Sequence, residues 1–263
     1  MSNDTSNQSA RDKNIVVQAP WGPWRAIIGS LVAFLGAQYV VLLLVSYYIH
    51  LRHWSNDYAN QVLTNSIPAQ FWTILITEIA VLAILWLFVR NFPREKILKG
   101  LGLRRVYWKD LGFALIGVLA YFGVYGVILT VSNQFVHINA SQQQDIGFQT
   151  ATGTTNLIFT FVSLAILPPI AEELMFRGFL YGGLRKHMNI VIATLVTSVL
   201  FALPHSAEST NGSVLWIAAI DTFSLSLVLC FLREKTGAVY SGMGLHAIKN
   251  SIAFVSLFIL HVR

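Results

Sequence analysis

The sequence predicts an all-α integral membrane protein, a polytopic bundle of about seven transmembrane helices. Three observations carry that expectation. Of 263 residues, 55% are hydrophobic and only 11% charged, whereas soluble domains average near a quarter charged. The apolar residues fall in runs of about 20, the length of a helix that crosses a bilayer core. The short alternating segments of a β-barrel are missing, and a helix bonds every backbone amide within its own segment, as lipid requires.

The elements follow in chain order. Residues 1–20 are mostly polar and are expected to form a flexible cytoplasmic tail. The first span, Trp24–Ile49, contains 24 residues without a charge from Ala26 onward. A signal-peptide core is shorter, about 7–15 residues, and ends at small residues. Here the run ends in Ser46-Tyr47-Tyr48-Ile49-His50, so it is expected to stay on the chain. Six more spans follow: Phe71–Val89, Leu111–Val131, Leu157–Leu184, Asn189–His205, Val214–Leu232 and Ala238–Leu260. The fourth holds Pro168-Pro169 and charges, and is expected to break there or to begin as a separate short helix. Glu95–Asp110 mixes Ile97, Leu98, Leu101, Leu103 and Trp108 with cations. That mixture suits an interfacial elbow on anionic headgroups and equally a solvated loop. The chain thus divides into a tail (1–20), two N-terminal spans with the basic elbow (21–110) and a core (111–263).

Fourteen Lys and Arg flank one side of these spans and two flank the other. The positive-inside rule predicts a cytoplasmic N-terminus in a cell membrane. The same placement accounts for the net charge of +6 without a nucleic-acid face. A single cysteine, Cys230, excludes an internal disulfide and a Cys-cluster metal site.

Ionisable residues inside a span cost several kcal/mol and mark functional sites by default. They are Glu78, Glu172, Glu173, Arg177, His205, Asp221, His246 and Lys249, joined by the polar Asn250. Glu78 and Asp221 each stand alone on their spans, which suits a carboxylate that is protonated or hydrogen-bonded to a neighbouring helix. Lys249 is a candidate partner for Asp221. The others form a pattern. Arg177 follows Glu173 by four residues, on one helical face, while Glu172 points about 100° away. Phe201 and His205 are four apart, and so are His246 and Asn250. Counted from the cytoplasmic span ends, Glu172 lies about 18 Å deep, His205 about 24 Å and His246 about 12 Å, which one buried site can accommodate. A glutamate and a histidine on facing helices can deprotonate water, and a second histidine with an amide can donate to a tetrahedral oxygen.

In that order on successive helices, Glu172-Glu173-x-x-x-Arg177, Phe201-x-x-x-His205 and His246-x-x-x-Asn250 resemble the three motifs of the CAAX-processing and bacteriocin-processing (CPBP, or Abi) intramembrane proteases, the type II CAAX prenyl endopeptidases. The likeness covers about Leu111 to Phe254. It implies an endopeptidase in which Glu172 and His205 activate water and His246 and Asn250 form the oxyanion pocket. Glu173 belongs to the same set, with Arg177 and Phe201 orienting it. A metallopeptidase version is open too, since Glu172, His205 and His246 match the Glu-plus-two-His set of a catalytic zinc site. The implied partners are the bilayer and membrane-associated peptides, such as prenylated C-termini or bacteriocin leaders. A non-proteolytic membrane adaptor, in bacteriocin immunity or regulating a transporter or envelope enzyme, is the alternative. The intact Glu/His/His/Asn set favours the protease.

Overall fold

The computed structural model describes residues 19–135, 138, 144, 146–207 and 214–261. The predicted tail, apart from its last two residues, lies outside them. The protein is an all-α polytopic membrane bundle. Six helices are long and apolar enough to cross a membrane: α1 (Pro23–Leu51), α3 (Ile67–Val89), α5 (Trp108–Ser132), α6 (Thr154–Arg185), α8 (Trp216–Thr236) and α9 (Tyr240–Ile259). The predicted fifth span is a shorter apolar helix, α7 (Ile190–His205), below the length of about 20 residues that a full crossing takes. Two short helices went unpredicted: α2 (Asn56–Asn65) and α4 (Arg94–Leu101).

Local chemistry sets the ends of these helices. Ser66 caps α3 and Asn189 caps α7, their side chains accepting from Ala69 and Ile192 N–H groups. Asp110 in the first turn of α5 accepts from the Tyr107 N–H at 2.9 Å. It also takes two bonds from the Arg104 guanidinium. Those bonds push the Arg104 pKa further up, so the clamp on the start of α5 keeps its charge. α8 stops at Gly237, whose φ of 68° is open to glycine.

α1 packs on α3, α7 on α8, and α5 on both α8 and α9. α6 runs between these layers. The contact of α1 with α6 is made by small residues, with Ala26 and Ala33 fully buried. Outward-facing residues such as Leu35 and Leu119 are exposed, as lipid-facing side chains are.

The expected break in α6 is replaced by a change of winding. The helix is continuous but passes through two π segments, Val162–Ile166 and Glu173–Leu180. At the end of the first, the Leu167 N–H bonds five residues back to Val162. Pro168 and Pro169 have no N–H, so Leu164 and Ala165 lose the partners an α-helix would give them. Leu164 is supplied from another helix: Asn250 Nδ2 of α9 donates to its carbonyl at 2.9 Å. The second π segment is held by outside donors as well. Trp21 Nε1 donates to Phe179 O at 2.9 Å and Arg233 Nε to Arg177 O at 3.2 Å.

The elbow packs against the bundle rather than lying free. Ile97 and Gly100 of α4 are buried while Trp108 is exposed. Arg233, counted among the flanking cations, is itself buried and reaches the elbow by donating to Gly100 O at 2.8 Å. Arg185 is likewise drawn inward to Glu234 and Tyr181's partner network. Side-chain pairing inside the bundle therefore absorbs part of the cation asymmetry.

Candidate active site

The second π segment carries the first motif. Glu173 and Arg177 are fully buried, and Arg177 Nη1 donates to Glu173 Oε1 at 2.9 Å. The i,i+4 pairing expected of an α-helix survives the looser winding. The same oxygen lies 3.4 Å from His246 Nδ1. The other oxygen of Glu173 rests against Gly242, where a Cβ would stand 2.7 Å away. A glycine there makes room for the carboxylate.

Glu172 turns to a different neighbour set, as the rotation between adjacent residues requires. Its Oε2 lies 3.8 Å from His246 Nε2, beyond a direct hydrogen bond but within reach of a bridging water. The His246 imidazole thus stands between the two glutamates, one on each nitrogen. Glu172 and His205 open onto one cavity of about 210 Å³, between α1, α3, α6 and α7. His205 Nδ1 lies 3.0 Å from the Phe201 carbonyl. A carbonyl only accepts, so Nδ1 carries the proton, and in the neutral ring Nε2 is the basic nitrogen.

Phe201 links the two motifs to the third. Its ring centroid is 4.3 Å from the Arg177 guanidinium carbon, 5.3 Å from the His205 ring and 5.9 Å from the His246 ring. The guanidinium therefore lies over an aromatic face on one side and on a carboxylate on the other. Phe176 closes the stack at 4.9 Å.

The six ionisable and amide groups of the pattern are not all in the cavity. Glu172, His205 and Phe201 line it. His246 and the Glu173–Arg177 pair form a buried layer behind. The Asn250 amide is turned to Leu164 O, as described, and one of its N–H bonds remains for another acceptor. Two residues read as isolated have definite places. Asp221 pairs with Lys249 at 2.6 Å and accepts from the Tyr121 hydroxyl, away from the cavity. Glu78 lines the same cavity as Glu172. Sequence reasoning missed this, and its only signal was a charge in an otherwise apolar span.

The predicted zinc set does not fit this arrangement. Among the described residues no three His, Cys, Asp or Glu side chains stand together where a metal could be held.

The model of the Rce1-like family, described as type II CAAX prenyl endopeptidase Rce1-like, matches residues 154–252. Over that stretch the chain is similar to that family. The segment runs from the start of α6 into α9 and includes every motif residue above. The UPF0177 protein YxdF of Lactococcus lactis subsp. lactis (strain IL1403) is 30% identical over 115 residues, 44% of this chain and 60% of that protein. The protein named "Putative membrane peptidase YdiL" of Bacillus subtilis (strain 168) is 24% identical over 202 residues, 73% of each chain. No solved structure matches.

Proposed function

We propose that the protein is an intramembrane endopeptidase that cleaves membrane-associated peptides with a water activated by Glu172 and His205. The observation that carries this is a glutamate and a histidine from different helices opening onto one cavity within an apolar bundle. The Rce1-like match and the peptidase name of one relative support the same class.

The chemistry follows from the groups present. Water held between the Glu172 carboxylate and His205 Nε2 gives up a proton to one of them as its oxygen attacks the peptide carbonyl. The tetrahedral oxygen then needs a donor, and His246, beside Glu172 in the buried layer, is the candidate. Collapse breaks the C–N bond, and the proton taken from water passes to the leaving amine. Glu173 and Arg177 do not touch the reacting atoms; they fix the His246 ring and the winding of α6. We infer a cytoplasmic N-terminus from the cation asymmetry.

The test is cleavage of fluorogenic membrane peptides by purified protein in vesicles. Glu172→Gln keeps size and loses basicity, and it should abolish turnover without moving thermal stability. Treatment with a chelator, followed by metal analysis, would show whether turnover depends on a metal. Normal cleavage by both Glu172→Gln and His205→Ala would overturn the proposal, and a wild-type protein that binds but never cleaves would favour a membrane adaptor.

A further inference from the structure

The cavity has a wall that water activation leaves unused. Glu78 lies near the middle of α3, next to Thr77 in the chain, and Gln38 of α1 lines the same cavity. The Thr77 hydroxyl is satisfied by its own helix, donating to Thr73 O at 2.8 Å. Glu78 has no hydrogen bond or ion pair among the described residues. A carboxylate at that depth needs a proton or a cation. Asp221, the comparable acid elsewhere in the bundle, has its cation in Lys249; the described residues lining the cavity include no Lys or Arg.

Size and lining narrow what could supply a cation. A volume of about 210 Å³ holds roughly seven waters at about 30 Å³ each. It falls below the range of about 300–1,000 Å³ typical of pockets for drug-sized ligands. That is room for one side chain and a few waters. Phe34, Val81 and Met175 supply an apolar sleeve to the cavity that Glu78 also lines. An aliphatic stem with a cationic head fits such a sleeve, and Lys and Arg carry both.

We propose that Glu78 is a specificity-determining residue, accepting a Lys or Arg side chain of the substrate beside the bond that Glu172 and His205 attack. This rests on the proteolytic function proposed above. The test uses full-length protein in vesicles and peptides that carry Lys, norleucine or Glu at one varied position. The wild type should favour Lys over norleucine, and Glu78→Gln should lower that kcat/KM ratio about tenfold, mainly through KM. Glu78→Lys should shift preference toward the Glu peptide. An unchanged ratio, or a loss common to all peptides, would overturn the assignment. A binding arm separates this from failure of the protease itself. n-Butylammonium, with n-butanol as control, is measured for thermal stabilisation of the wild type and Glu78→Gln. If no peptide is ever cleaved, the proteolytic proposal fails. The subsite still stands if the ammonium stabilises only the wild type, and falls if both proteins respond alike.

Discussion

Replacing Arg177 by Met keeps most of its volume and removes its charge, and the structure allows the consequence to be sized. The guanidinium is fully buried, 2.9 Å from an equally buried carboxylate and over the Phe201 ring. Removing one member of such a pair strands the other, at about 3–5 kcal/mol. At about 1.4 kcal/mol per decade, the folded-to-unfolded ratio should fall between a hundredfold and several thousandfold. Glu173 would keep only His246, at 3.4 Å. The double variant Arg177→Met/Glu173→Leu removes the stranded charge as well, and buried pairs replaced by apolar groups are often neutral or stabilising. The double variant should therefore be more stable than Arg177→Met alone, a sign that cannot come from two independent losses. The assay is reversible unfolding by a denaturing detergent in mixed micelles, on the wild type, both single variants and the double. If the losses of the single variants simply add in the double, the pair is not the source of the stability, and the reasoning is refuted.

Other perturbations test the neighbouring contacts. Gly242→Ala puts a methyl 2.7 Å from the Glu173 carboxylate and should cost about 1–3 kcal/mol as overpacking, seen as a lower unfolding midpoint together with slower cleavage. Asn250→Leu leaves the Leu164 carbonyl without its donor and should cost about 1–3 kcal/mol. Adding Pro168→Ala, which restores an N–H to that carbonyl, should return part of the stability measured by the same unfolding assay. Cysteine introduced at an exposed elbow position such as Trp108 should be labelled only from the cytoplasmic side; labelling from outside intact cells would reverse the orientation.

The spans were legible because an apolar run of membrane length leaves few alternatives, and the motif helices because their i,i+4 pairs put like partners on one face. Glu173 and Arg177 illustrate this: the pair could be named from spacing alone, and it lies where spacing put it. Glu78 was not legible. The residues that share its cavity are on α1, α6 and α7, and no local pattern says which helices will face one another. Asn250 shows another limit. Its spacing from His246 puts it on the same face, but the vacancy it fills arises from a proline on a different helix. Arg233 and Arg185 were counted as loop cations because sequence cannot tell a charge that ends a helix in water from one folded back on buried acceptors.

The π segments of α6 also make residue number itself a determinant of the site. A π turn spans one residue more than an α turn, so a helix can shed that residue and stay unbroken. Deleting a single position within Val162–Ile166 would rewind the segment without removing any named side chain. The entire C-terminal portion of α6 would then turn by about 100°, swinging Glu172 off the cavity and carrying Glu173 away from His246. Among relatives, an insertion or gap of one residue at this point would thus separate differently aimed sites more sharply than many substitutions would.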